Sequence, residues 1–137
     1  MKDLITTLQL IYVIAKTIHY NYKGDDFLSV HKYMDEITDP IQDEFIDAIK
    51  EKFFMANNEP IPSFGEIYEE VISMSKTVGE QYSLQLLFDE IRIAIYKIDQ
   101  LSKNPSLHAG TIDLLGKIAS HFQTNIALLL PIISKKE

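Results

Sequence analysis

The chain contains no cysteine. Disulfide scaffolds, thiolate zinc sites and thiol-based catalysis are therefore excluded. No apolar run approaches the roughly 20 residues that a membrane-spanning helix needs. The opening Met1-Lys2-Asp3 leads into an apolar–polar mixture up to Lys16 with no small-residue cleavage pattern, so no signal peptide is expected and the cytoplasm is the simplest compartment. Basic residues are scarce, with 13 Lys and Arg against 20 Asp and Glu, a formal net charge of −7. That balance argues against strong, unaided binding to nucleic acid, because phosphate contacts need a basic surface. There is no Gly-rich phosphate loop, and serines such as Ser29 lack a positioned base and acid, so a hydrolase triad has no support.

What remains is a chain of 137 residues, 46% of them hydrophobic, enough for one packed domain spanning 1–137. Five Gly and five Pro punctuate it sparsely, and the apolar spacing between them is helical, with no strand-like alternation. Leu4, Leu8, Ile11, Ala15 and Ile18 share one face of a first helix over about 3–22. Gly24 suits a left-handed C-terminal position, and Asp25 or Asp26 can cap the next helix. In a second segment, about 27–56, Val30, Met34, Ile37, Ile41, Phe45, Ile49 and Phe53 keep the helical step. Pro40 interrupts it, at a cost of roughly 3 kcal/mol in a regular helix. Either the helix breaks near Asp39, or it continues with a kink or a π-bulge; the unbroken apolar stripe favours continuation.

Residues 57–62 read as a loop, and Ser63 with Glu66 fits a capping box opening a short helix to about residue 73. A third long helix is expected over about 78–103, and a last one over about 109–130, stopped by Pro131. Four long helices and a short one give an all-α chain with the count of a four-helix bundle; a short helix between the second and third long ones would lie in a crossover.

Two i,i+4 pairs on the second segment carry the candidate chemistry: His31 with Asp35, and Asp47 with Glu51. Imidazole and carboxylate ligands suit iron, manganese or zinc. Asp35 and Asp47 are about 18 Å apart along a straight helix, so the two pairs cannot share one metal cluster within one chain. His19 can approach His31 across the Gly24 turn, whereas Asp47 and Glu51 need a partner, which an antiparallel second copy could supply. The plainer alternative is a solvated face, since Asp35, Glu36, Asp39, Asp43, Glu44, Asp47 and Glu51 form a run of acids. The Glu-x-x-His signature of a di-iron site inside a bundle is absent, and His108 and His121 read as surface or cap residues.

The block His19-Tyr20-Asn21-Tyr22-Lys23-Gly24, then Phe27, then Val30-His31-Lys32-Tyr33-Met34-Asp35, resembles the identifying segment of the Dps proteins, or miniferritins, where the pattern is roughly His-Trp-Asn-x-x-Gly-x-x-Phe-x-x-x-His-x-x-x-Asp. Asp47 and Glu51, Pro60 nine residues on, and the stretch from Thr111 to Leu115 resemble later parts of that family, so the similarity runs from about Leu4 to Leu130. The resemblance implies a ferritin-like four-helix bundle with a short crossover helix, assembled as a hollow homododecamer. It implies a ferroxidase centre between two-fold-related subunits that oxidises Fe(II) with hydrogen peroxide or oxygen and stores ferric mineral. Carried over, His31 and Asp35 would be ligands from one subunit with His19 beside them, and Asp47 and Glu51 would come from the other. His31, Asp35 and Glu51 would be the catalytic set; zinc or manganese could occupy the same site. The chain has one residue more than the family pattern between the second His and Asp47, which a π-bulge near Pro40 would absorb. Tyr20 stands where the family has Trp, Asp113 is the one acid in 104–113, and no Lys-rich N-terminal arm is present, so strong DNA binding is not expected. The alternative is a ferritin-like shell or interaction protein without ferroxidase activity.

Overall fold

Leu4, Leu8, Ile11, Ala15 and Ile18 recur every three or four residues, and all five are buried in the computed structural model, which describes residues 1–78 and 82–136. They belong to α1 (Lys2–Asn21), which lies against α2, α4 and α5. The remaining elements follow as α2 (Phe27–Thr38), a π-helical segment π1 (Ile41–Ile46), a single turn α3 (Asp47–Ile49), a second π-helical segment π2 (Lys50–Met55), α4 (Phe64–Val78), α5 (Leu84–Ser102) and α6 (Ala109–Lys136). The chain is all-α, with no strand among the described residues. α5 packs along α6, and α6 also meets α3 and π2. Side chains from every long element join one hydrophobic cluster. Among the described residues no helix is long and apolar enough to cross a membrane.

Pro40 does not break the second segment. Asp39 and Pro40 keep right-handed helical angles, so 27–55 is one continuous rod. The backbone N–H groups of Glu44 and Phe45 both reach the Pro40 carbonyl, at 3.2 and 3.0 Å, and the Phe45 bond is the wider i→i+5 step of a π turn. The helix continues, as the apolar stripe favoured, and of the two forms left open, a kink and a π-bulge, it takes the π-bulge, which keeps Ile41, Phe45, Ile46 and Ile49 buried beyond the proline. The second π segment was not foreseen. It advances the register by one residue, so Phe54 is buried and the expected Phe53 is only half-buried.

Several boundaries differ from the sequence reading. α6 does not stop at Pro131 but runs to Lys136, with Leu129 and Ile133 buried on either side of the proline. The carbonyl that Pro131 leaves without a partner belongs to exposed Ala127, where water can serve it. α4 extends to Val78, so the third long helix begins at Leu84 rather than at Val78; residues 79–81 of that expectation lie outside the described residues. Gly24 does not take the left-handed conformation; α1 instead leaves through an extended Tyr22. Asp26 is the N-cap residue of α2, but its carboxylate accepts from the Tyr22 hydroxyl at 2.6 Å instead of capping. Ser63 caps α4 as expected by accepting from the Glu66 N–H at 3.1 Å, while the Glu66 carboxylate pairs with Lys2 at 3.2 Å.

Candidate metal centre

The short α1–α2 connection turns the chain back so that the last turn of α1 faces the first turns of α2. His19 and His31 meet there with their rings stacked, 3.7 Å between centroids and 20° between planes. Each donates Nδ1–H to the backbone carbonyl of the other, both at 2.7 Å. Carbonyl oxygens only accept, so both Nδ1 atoms carry hydrogen, and in the neutral rings the Nε2 lone pairs are left for a ligand. Metal-binding histidines are usually oriented in this way, by a hydrogen bond from the nitrogen that does not bind.

Asp35, one turn beyond His31, has an oxygen 3.5 Å from His19 Nδ1 and 3.0 Å from Lys16 Nζ. The Lys16 hydrogen bond, with smaller contributions from the two histidines, holds the Asp35 carboxyl below the usual carboxylate range; the same contact raises the Lys16 ammonium. Both side chains are partly exposed, so the pair contributes little to stability. Tyr20 meets His19 edge-on at 4.8 Å and is largely exposed, and Phe27 covers the other side of His31 at 5.2 Å.

Asp47 and Glu51 lie farther along the rod, exposed and without a hydrogen-bond or ion-pair partner among the described residues. The π turn decides where they face. At about 100° per residue, with one residue taken up by π1, His31, Asp35, Asp47 and Glu51 span an arc of about 100°. Without that turn the same residues would span about 200°, with the two pairs on opposite sides of the rod. The structure therefore brings His19, His31 and Asp35 together and leaves Asp47 and Glu51 apart along the same side. Among the described residues, no three His, Asp or Glu side chains converge to hold a metal within one chain.

An apolar surface adjoins the carboxylate pair. Ile67 and Val71 bury the inner side of α4, while Phe64, Tyr68 and Ile72, four residues apart, stay exposed beside them. The Phe64 and Tyr68 rings stack at 6.2 Å, and Lys50, next to Glu51, places Nζ 4.2 Å over the Phe64 ring.

His108 is exposed, as expected. His121 is half-buried and is a cap, with Nε2 3.1 Å from the Ile37 carbonyl. Lys16 was missed by the sequence reading, although its place one turn before His19 was the available signal. The recurrence of acids every four residues, Asp35, Asp39, Asp43, Asp47 and Glu51, was equally available. Compared with known protein families, curated proteins and solved structures, the chain matches none.

Proposed function

We propose that the chain is a Dps-like miniferritin whose fold is a ferritin-like four-helix bundle, with α4 as the short helix of the crossover. Its substrate is Fe(II), bound between two antiparallel copies. His31 and Asp35 of one copy, with His19 beside them, face Asp47 and Glu51 of the other. The observation that carries this reading is the His19–His31 pair, two imidazoles fixed by backbone carbonyls with Nε2 of each unengaged, one turn from a carboxylate. The π turn supports it by keeping the second carboxylate pair on the same side of the rod, and the exposed Phe64–Tyr68–Ile72 stripe supplies apolar surface for a second copy.

In the reaction, two Fe(II) each give one electron to hydrogen peroxide. The O–O bond breaks, two protons are taken up, and two waters leave with two Fe(III). The protein's residues do not donate those electrons. His31, Asp35 and Glu51 hold the ions and, with Asp47, offset their charge; the neutral Nδ1–H tautomer lets each imidazole bind without first losing a proton. Zinc or manganese would suit the same ligands. The ferric product would be stored inside a hollow homo-oligomer, a dodecamer on the family pattern, with no strong DNA binding at a net charge of −7.

Stopped-flow oxidation of Fe(II) by peroxide, with oligomer mass followed by light scattering, tests this. In the His31→Ala/Glu51→Ala double variant, oxidation should fall to the rate of free Fe(II) while the oligomer persists. Oxidation equal to wild type refutes the site. The second reading, a ferritin-like shell without ferroxidase activity, is favoured by one contact: Lys16 already holds one of the two Asp35 oxygens and offsets the carboxylate charge that a metal would need. Crystals soaked in Fe(II) or Zn(II) that show no anomalous peak between subunits would decide for the shell.

A further inference from the structure

The carboxylates Asp47 and Glu51 have no side-chain partner to aim them, so their direction is set by the backbone that carries them. Asp47 opens α3 and Glu51 lies in π2, so the π turn just before them, π1, sets where both point, and it is gripped from two sides. On the α6 side, Pro40 removes an N–H from the helical ladder, leaving the preceding turn one donor short at the Glu36 carbonyl. His121 brings a donor to this turn, with Nε2 3.1 Å from the Ile37 carbonyl oxygen. The same imidazole meets the Phe45 ring, inside π1, at 5.3 Å and 67°. His121 therefore touches the chain on both sides of Pro40.

The imidazole is itself held. Because the Ile37 carbonyl only accepts, Nε2 carries the hydrogen, and the Asn125 side-chain amide, 3.1 Å from Nε2, matches it by turning its oxygen to the ring; its NH2 then donates to the Tyr33 hydroxyl at 2.8 Å, and that hydroxyl donates to the Asn125 backbone carbonyl at 3.1 Å. Asn125 is buried, and burial raises the Tyr33 phenol far above its ordinary range, so it stays a donor across the accessible pH range. On the α1 side, buried Gln9 and half-buried Gln42 exchange amide hydrogen bonds of 3.0 and 2.6 Å, and Gln42 lies in π1. Buried polar pairs of this kind fix register, since a rotated helix would leave them unsatisfied.

We propose that His121 is a positioning residue for the metal centre: by capping the turn before Pro40 and packing on Phe45, it clamps the π segment in the register that aims Asp47 and Glu51 at the partner subunit. The role in iron chemistry rests on the miniferritin reading; the clamp on the backbone does not. Three variants test it: His121→Ala, His121→Gln, whose amide can place a donor near Nε2, and Tyr33→Phe, which removes one hydroxyl from the network. Amide hydrogen exchange of residues 41–55, read by mass spectrometry without iron, should speed up about tenfold or more in His121→Ala and return to within about threefold of wild type in His121→Gln. With Fe(II), KM should rise about tenfold in His121→Ala at a kcat within about threefold, and His121→Gln should restore it. If His121→Ala fails to fold, Tyr33→Phe carries the test, with about threefold faster exchange confined to 41–55.

Unchanged exchange in every folded variant overturns the clamp. So does a His121→Gln variant no better than His121→Ala, because the role would then be packing rather than hydrogen bonding. Exchange that responds as expected in a protein that oxidises no iron would uphold the clamp and defeat the miniferritin reading instead.

Discussion

Deleting Asp43 should leave both the fold and the candidate metal centre in place. Asp43 is exposed and sits inside π1, the one extra residue's worth of helix after Pro40. Removing one residue from a π turn lets it close as an ordinary α turn, and every later residue then keeps its direction around the rod. The Asp47 and Glu51 carboxylates would stay on the His31 side, and Phe45, Ile46, Ile49 and Phe54 would stay buried. The regained α turn is worth about one backbone hydrogen bond, so stability should move by no more than about 1 kcal/mol. Deleting both Asp43 and Glu44 leaves π1 no spare residue to absorb. The rod from there to π2 would rotate by about 100° and carry Phe45, Ile46 and Ile49 out of the core. At about 1.5–3 kcal/mol each, the loss is about 4.5–9 kcal/mol, comparable to the whole stability of a domain this size. Thermal unfolding followed by circular dichroism, together with Fe(II) oxidation, separates the two. The single deletion should melt within about 5 °C of wild type and oxidise iron within about threefold; the double deletion should be unfolded. A single deletion as damaging as the double one refutes the idea that π1 is a register device.

Replacing Lys16 with Ala frees the Asp35 oxygen, so zinc affinity by calorimetry should rise about tenfold, and no rise would show that the Lys16 contact does not compete with metal. In that variant the Asp35 carboxyl should titrate higher by NMR. A depressed folded pKa adds stability that is present above the ordinary carboxylate range and lost as pH falls through the lower folded value, and the variant should lose that acid-sensitive part. Tyr68→Glu with Ile72→Glu puts charge on the exposed α4 stripe and, if the proposed oligomer uses that stripe, should lower the sedimenting mass to that of a monomer at unchanged helix content; an oligomer sedimenting as in wild type would exclude the stripe from its interface. Buried Glu90 has an oxygen without a hydrogen-bond partner, and burial raises its carboxyl. The folded state then holds that proton more tightly than the unfolded one, so its burden on stability appears as pH rises through the carboxylate range. Glu90→Met should stabilise by about 1 kcal/mol at pH 7 and by less at pH 4; equal gains at both would mean the charge is not the cause.

The helices were legible because their apolar residues recur at helical steps, and Leu8, Met34, Ile91 and Ile98 are buried as that spacing requires. The continuation of the helix through Pro40 was legible for the same reason, since the stripe stays in phase across a residue that should break it; the choice of a π turn over a kink was not. The second π segment was not, because nothing local marks it, and tertiary packing chooses Phe54 over Phe53. Pro131 misled because a proline's local cost was weighed without Leu129 and Ile133, whose burial carries the helix past it. At the candidate centre, the His19, His31 and Asp35 spacing could be read directly. The carbonyls that orient the two rings could not, since backbone acceptors have no sequence signature, and neither could the Lys16 contact, which depends on how α1 and α2 cross.

The exchange between His19 and His31 also bears on what iron binding would demand of the chain. The His19 carbonyl lies in the last turn of α1, where helical carbonyls run out of donors, and His31 Nδ1 supplies one. The two rings are thus part of how the first helix ends. Their side-chain freedom, about 0.5–1.5 kcal/mol for each group that a ligand would otherwise have to immobilise, is already given up when the helical hairpin forms. An arriving ion would meet imidazoles that need no ordering, and losing either histidine would loosen the hairpin before any metal was present.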